Sequence, residues 1–300
     1  MLTPFSRPHH VPPAGASARL IDYLREHLVC VPVDELAELI TLGDVTVNGA
    51  KAEIARPLRE RDALALKDGV AERLRAAGRW AAPFDAPVEV VHEDADLMVV
   101  DKPSGMHVHP LGRWRDEALT NALIFRAGAR AQSPWAEWRP HPAHRLDRPA
   151  SGLVAVAKSG AIRDSLRRLL DARHVHRTYE ATVTGVIDGE SGTVDTPLGR
   201  DPHDDYRRAT VSLEAGGQSA ITHWVVAART ADTTTLALTL DTGRTHQIRA
   251  HLASIGHPIA GDTLYLGGPK SPNAARIALR AVRLVLPHPR TGGVLDLAAR

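Results

Sequence analysis

The chain predicts an α+β fold: a mostly antiparallel mixed sheet in a large domain, preceded by a small N-terminal α/β domain. Three observations carry that expectation. From residue 87 onward, short strands of period-two alternation are interspersed with short helices, without the regular strand–helix–strand spacing of a doubly wound sheet. Ahead of them, residues 16–68 hold two helical repeats followed by a strand and a tight turn. Residues 69–86 between the two mix Gly, Ala and Pro, as a linker does. No internal repeat or low-complexity block is visible across the 300 residues, a length that suits one large domain plus a small one.

Taken in order, residues 1–15 have no apolar core and read as a disordered tail, with no secretory signal in Met1 to His10. Ala18 to Leu24 and Leu36 to Ile40 space their apolar residues helically, Gly43 ends the second helix, and Val45-Thr46-Val47-Asn48-Gly49 is a strand running into a turn. The linker carries a short basic helix-like piece, Glu72-Arg73-Leu74-Arg75. In the large domain, Asp96 to Asp101 is a strand that ends in the turn Lys102-Pro103-Ser104-Gly105. Leu153 to Ala157 is a continuous apolar run, the mark of a buried strand. Ile162, Leu166, Leu169 and Leu170 share a helix face that Ser159 is placed to cap. Tyr179, Ala181 and Val183 alternate along one strand and Leu236, Leu238 and Leu240 along another, and Ile248, Leu252 and Ile255 mark a helix stopped at Gly256.

Composition excludes several classes. Hydrophobic content of 43% and charged content of 24% are those of an ordinary globular protein, and no apolar run approaches a membrane span. The lone cysteine, Cys30, forms neither an internal disulfide nor a thiolate zinc cluster, which fits a reducing cytoplasm. Net charge is only +2, so bulk electrostatics announce no polyanion ligand, yet 32 of the 37 basic residues are arginine, the side chain that pairs bidentately with phosphate and stacks on bases. Codon bias in a GC-rich genome accounts equally well for that skew.

The most informative stretch is His144-Arg145-Leu146-Asp147-Arg148-Pro149-Ala150-Ser151-Gly152-Leu153. It sets a carboxylate between two guanidiniums at the entrance of a buried strand. Carboxylates rarely stand there unless paired, and one that does is a candidate nucleophile or general base. On local sequence alone, a structural salt bridge from Asp147 to Arg145 or Arg148 explains it as well. His141 and His144 stand three apart, but Pro142 between them argues against a helical ligand pair, and no third ligand is evident. Arg163, Arg167, Arg168, Arg173, His174, His176 and Arg177 form a basic stretch suited either to solvent or to phosphate.

The Asp147 stretch closely resembles the H-R-L-D-x-x-T-S-G-L signature of the RluA-type pseudouridine synthases. Three further segments resemble that family in its own order: Val100 to Pro110, the N-K-P-x-G-x-x-V-H-P segment; Arg177 to Gly185, K-x-Y-x-A-x-V-x-G; and Leu240 to Leu252 with Gly256 to Asp262, T-G-R-T-H-Q-I-R-x-H-L and G-H-P-I-x-G-D. Two helices followed by V-x-V-N-G in residues 16–68 resemble the S4 RNA-binding fold often found before this catalytic domain, although the second helix here reads Asp34-Glu35-Leu36-Ala37-Glu38 where basic residues are usual.

The resemblance implies isomerisation of uridine to pseudouridine in structured RNA, ribosomal or transfer, by an aspartate mechanism with base flipping. It implies a catalytic set of Asp147, Tyr179 and Arg249: the aspartate attacks or stabilises base or sugar, the tyrosine stacks on uracil and is implicated in proton removal at C5, and the arginine pairs with the aspartate. Arg145 would fill the space the base vacates, and Arg148, Arg244, His246, Arg167 and Arg177 are further expected RNA contacts. Breaking the N1–C1′ bond and joining C5 to C1′ oxidises nothing, so no cofactor and no metal are expected. A monomer without membrane attachment is expected. Departures from the pattern are Ala150 for the usual Thr and Arg280 in Leu279-Arg280-Ala281 for the frequent L-H-A; neither removes a catalytic group. Two other readings stay open: a catalytically inactive RNA-binding protein of the same fold, and a metal-dependent phosphodiesterase built from His141, His144 and nearby aspartates.

Overall fold

The structure, a computed structural model, describes residues 8–28, 31–76, 83–110, 117–128, 139–266 and 276–300; Cys30 and the centre of the expected linker lie outside them. The chain divides into two compact units. One comprises Met1–Val88, His109–Pro142 and Val156–Arg163; the other comprises Glu89–Val108, Ala143–Ala155 and Asp164–Arg300. The first change of unit falls between Val88 and Glu89, and two later segments belong with the first unit, which a division at residue 87 does not include. A boundary drawn from a shift in composition does not register segments that return in space.

In the first unit, β1 (His9–His10), α1 (Leu20–His27), α2 (Val33–Leu42), β2 (Val45–Val47), β3 (Ala50–Lys51), β4 (Ala63–Leu66) and α3 (Val70–Ala76) follow in order, and the strands form a sheet ordered β1-β4-β2-β3. Gly43 adopts φ +74 and ends α2 with its N–H donating to the Ile40 carbonyl, as a left-handed cap requires. Asn48 and Gly49 both take positive φ, which gives the two-residue turn between β2 and β3. Leu20, Leu24, Leu36, Ile40, Val45 and Val47 are fully buried in one core, each large aliphatic side chain contributing about 1.5–3 kcal/mol.

Two expectations are corrected here. Residues 8–15 are not a free tail: His9 and His10 pair with Leu64 and Ala63, and Val11 is buried. Backbone pairing and one apolar anchor order a segment that has too few apolar residues to show a period. Nor does the start of the expected linker stand apart from the domain: the helix-like piece read at Glu72 to Arg75 lies in α3, which places Val70, Ala71 and Leu74 in the same core.

The remaining elements are β5 (Glu89–Glu93), β6 (Leu97–Lys102), α4 (Leu119–Ala127), β7 (His141–Pro142), β8 (Ser151–Ala157), α5 (Gly160–Asp171), β9 (His176–Thr184), β10 (Ser191–Asp195), β11 (Leu198–Asp201), β12 (Asp204–Thr210), β13 (Ile221–Arg229), β14 (Thr233–Leu240), α6 (Gln247–Ser254), β15 (Leu279–Pro287) and β16 (Val294–Ala298). Among the described residues the large sheet runs β10-β13-β14-β9-β15-β8-β6-β5, with β16 on β15. β10–β13, β13–β14, β14–β9, β9–β15, β15–β16 and β5–β6 pair antiparallel, whereas β8 and β15 run parallel. An α+β fold on a mostly antiparallel sheet is thus the architecture.

Three local features position the site. Leu153 to Ala157 of β8 are all buried, and the loop that carries Asp147 leads straight into this strand. Gly152 has φ +115, and a Cβ there would stand 2.3 Å from the Ala281 carbonyl oxygen, so the parallel contact of β8 with β15 needs glycine on both counts. The start of α6 is latched by Gln247, whose side-chain oxygen accepts from the Arg244 N–H (2.9 Å) and the Thr242 hydroxyl (2.8 Å) while its amide donates to the Ile221 carbonyl (2.9 Å).

Candidate active site

Asp147 sits in a tight turn closed by the Ala150 N–H donating to its carbonyl at 3.1 Å. The substitution of Ala for Thr at 150 leaves this backbone bond in place. The turn is held from below by Lys102, whose side chain is fully buried at the end of β6. Its ammonium donates to the carbonyls of Pro103 (2.9 Å), Met106 (2.8 Å) and Ala150 (2.7 Å), and Arg148 O lies at 3.4 Å. Burial lowers the Lys102 pKa to about 7, against the charges of Asp147 and Asp101, which raise it. Ser104 adds a bond to the Pro149 carbonyl (2.6 Å), and Gly105 exchanges bonds with Arg148. The Asp101–Met106 turn is therefore the clamp of the Asp147 loop.

Arg249, on the third residue of α6, reaches Asp147 with Nη1 at 3.3 Å from Oδ2. Its remaining face is taken bidentately by Asp262, with Nε at 2.6 Å and Nη2 at 2.9 Å from the two carboxylate oxygens. Both residues of that pair are buried. Burial works against the guanidinium charge, but the Asp262 bonds and the Asp147 charge outweigh it and raise the Arg249 pKa. The planar fork is thus fixed by one carboxylate and offered to another. Tyr265 completes the brace: the Arg249 guanidinium lies 5.2 Å from its ring centroid, within cation–π range.

His246, the residue that caps α6, is held at φ +57. Its Nε2 stands 4.0 Å from Asp147 Oδ1 and its Nδ1 is 3.3 Å from the Tyr265 hydroxyl. Burial lowers its pKa to about 4, more than the Asp147 charge raises it, so the ring is neutral near pH 7. A neutral ring beside the aspartate is better suited to contact a base than a phosphate.

Tyr179 lies on β9 between Leu238 of β14 and Ala281 of β15, buried to 5% exposure. Burial raises its pKa, and the Arg177 guanidinium beside it opposes that shift. Arg177 in turn rests against Gly243, within ordinary contact distance.

These groups line one open cleft of about 580 Å³ in the second unit. Of the residues singled out from sequence, it brings together Arg145, Asp147, Arg177, Tyr179, Arg244, His246 and Arg249. Arg145 is exposed at its rim, and Arg244 is exposed with Nε bonded to the Ser219 carbonyl. Two residues do not join it. Arg148 turns to the Gly105 carbonyl (2.9 Å), and Arg167 is exposed on α5, away from the cleft lining.

The histidine-based metal reading finds little support: His144 Nε2 accepts the Ala155 N–H at 3.2 Å and so is occupied. Among the described residues a cation-sized grouping exists elsewhere, at Asp94, Asp96 and His288. It is internally saturated, since Arg290 pairs with Asp96, His92 with Asp94 (2.8 Å), and His288 Nδ1 accepts two backbone N–H groups, which leaves the ring proton on Nε2 facing Asp94.

Sequence reasoning missed Asp262, Tyr265 and the clamping role of Lys102. Asp262 closes the Gly256 to Asp262 segment already singled out, and Tyr265 follows three residues later, but nothing in one sequence announces that both converge on Arg249. Arg280, the departure from the frequent L-H-A, donates to Asp101 and also bonds the Arg300 carbonyl (2.8 Å).

A carboxylate held by a braced guanidinium in an open cleft, with a phenol and a neutral imidazole lining the same cleft, is an arrangement suited to nucleophilic or acid–base chemistry. Comparison with known proteins makes this specific. A model of the family described as RNA pseudouridylate synthase matches residues 96–254. The ribosomal large subunit pseudouridine synthase D of Xanthomonas campestris is 37% identical over 302 residues, covering 96% of this chain and 87% of that protein. The protein of the same name from Pseudomonas aeruginosa is 38% identical over 269 residues, covering 86% and 80%. The solved structure of human RNA pseudouridylate synthase domain containing 4 superposes with a TM-score of 0.56 at 25% identity, covering 71% of this chain and 88% of that one. This chain belongs to the RNA pseudouridylate synthase family, and it is an enzyme that isomerises uridine to pseudouridine in RNA.

Proposed function

We propose that the chain modifies specific uridines of large-subunit ribosomal RNA, with Asp147 as its catalytic carboxylate. The observation that carries the site assignment is the Arg249–Asp147 contact of 3.3 Å inside a cleft open to solvent. The ribosomal substrate is supported by the names of relatives that align with most of the chain. Transfer RNA is the alternative substrate.

The reaction conserves every atom. The N1–C1′ bond breaks, the uracil turns, a C5–C1′ bond forms, and the C5 proton is lost as N1 gains one. Asp147 attacks either the base or C1′, and Arg249 keeps it anionic and aimed. Tyr179 supplies a flat face for the uracil. Because burial favours its neutral phenol, it takes up the C5 proton only by passing its own onward to a neighbour. The target uridine must leave its stack, at a cost of a few kcal/mol that is least in loops. Exposed Arg145 at the rim is placed to occupy the gap it leaves.

Residues 16–68, with α1, α2 and the β2–β3 turn, support an S4-like domain. Its acidic α2 points to an RNA contact through other surfaces, if it has one. A ribosomal substrate supports a cytoplasmic location. No helix among the described residues is long and apolar enough to cross a membrane.

Pseudouridine mapping across total RNA from cells with and without the gene tests the substrate. Loss of one or more large-subunit sites supports the reading; loss confined to transfer RNA overturns the ribosomal assignment.

A further inference from the structure

The β11–β12 hairpin forms a two-stranded sheet of its own, and β12 packs against α6, the helix that carries Arg249. It is fastened there by Tyr265, whose hydroxyl accepts the Arg208 N–H at 3.0 Å and donates to the Arg208 carbonyl at 3.3 Å. The Arg207 guanidinium lies 5.1 Å from the same ring and pairs with Asp201 at 3.6 Å. Arg207 is thus used internally.

The opposite face is different. Arg200 and Arg208 are direct cross-strand partners, so their guanidiniums project from one face, and like charges directly opposite are unfavourable without a counter-ion. Among the described residues neither pairs with a carboxylate; Arg208 Nη1 donates only to the Arg207 carbonyl (3.0 Å). Asp201 is engaged with Arg207 and the His203 N–H and Asp204 with the Tyr206 N–H, while Asp205, exposed, alternates along β12 to the face opposite Tyr206 and Arg208. Tyr206, two residues before Arg208 and therefore on the same face, is 75% exposed. The Arg208 charge is also felt at His246 inside the cleft, where it opposes protonation. Two uncompensated guanidiniums next to a bare aromatic ring match a phosphate with an adjacent unpaired base.

We propose that the Arg200–Tyr206–Arg208 face of this hairpin grips the RNA strand flanking the target uridine, the two arginines on a backbone phosphate and Tyr206 stacked on a neighbouring base. The proposal rests on the cleft beside it being the catalytic site. It assigns substrate binding to a segment whose sequence, Arg200-Asp201-Pro202-His203-Asp204-Asp205-Tyr206-Arg207-Arg208, has no net excess of basic residues, counting three arginines against three aspartates.

The test is filter binding of the full chain to a large-subunit ribosomal RNA transcript over a range of salt, with tritium release from C5-labelled transcript measured in parallel. The Arg200→Glu/Arg208→Glu variant is expected to bind at least tenfold more weakly and to lose about 1–2 from the slope of log K against log salt. Arg200→Lys/Arg208→Lys, which keeps both charges, is expected to retain most of that slope, and Tyr206→Ala to weaken binding with the slope unchanged. An unchanged affinity and slope in the charge-reversed variant overturns the hairpin proposal whether or not the wild type turns the transcript over. A lost slope together with no wild-type turnover upholds the hairpin and counts against the ribosomal substrate alone.

Discussion

Lys102 braces the candidate site from outside the residues that line the cleft. A fully buried ammonium is unfavourable unless its protons are used, and here three are spent on carbonyls of the two loops that frame Asp147. Lys102→Met would leave those carbonyls unsatisfied, at roughly 1–3 kcal/mol, and let the aspartate drift. Since a shift of about 1 Å from productive geometry is enough for a hundredfold loss, single-turnover rates are expected to fall about ten- to a hundredfold while RNA affinity stays within about threefold. A rate within twofold of wild type would show that the loop holds itself. Asp147, Tyr179 and Arg249 were legible from sequence because each stands in a short motif whose chemistry demands that residue type. Lys102 was legible only as part of a turn, and Asp262 only as the last letter of a motif, because burial and bidentate geometry depend on distant segments. The Asp101–Arg280 pair joins residues 179 apart in sequence, a separation that no local pattern bridges.

At the level of elements, strand and helix periodicity placed β6, β8, β9, β14 and α6, and the Gly43 and Gly256 stops, because all of these follow from local propensity and apolar spacing. β1 escaped that reading, and so did the burial of α3. A two-residue strand has no period to detect, and the helix-like piece at Glu72 to Arg75 read as part of a linker because its membership of the core depends on distant segments. The Gly152 in the Asp147 motif read simply as a turn residue, whereas its place is set by the β8–β15 approach. Gly152→Ala would meet both a left-handed φ and a backbone oxygen at 2.3 Å. A loss of about 2–4 kcal/mol in urea unfolding is expected, together with reduced activity from displacement of the adjoining Asp147 loop. Unfolding free energy within 1 kcal/mol of wild type would mean, to that order, that the two strands part easily.

Across the whole molecule, each unit carries a histidine that resists protonation. Burial lowers His27 of the first unit to about 4 and His144 of the second to about 3, against an ordinary value of 6.5. Between those values and 6.5 the unfolded chain binds more protons than the folded one, so stability is full above about pH 6.5 and falls as the pH drops toward 4. Each ring is expected to remove about 1–2 kcal/mol between pH 6.5 and 5. Urea unfolding at the two pH values, repeated with His27→Asn and His144→Gln, checks this; slopes unaltered by both substitutions would place the acid sensitivity elsewhere. The function of the whole, however, converges on one side chain. Tritium release from C5-labelled ribosomal RNA transcript by wild type and Asp147→Asn, with RNA binding measured alongside, is the most direct measurement. The account predicts release by the wild type and none by the variant at comparable RNA affinity, and it is contradicted if the variant releases tritium at a rate within about tenfold of wild type, a margin of about 1.4 kcal/mol in barrier height.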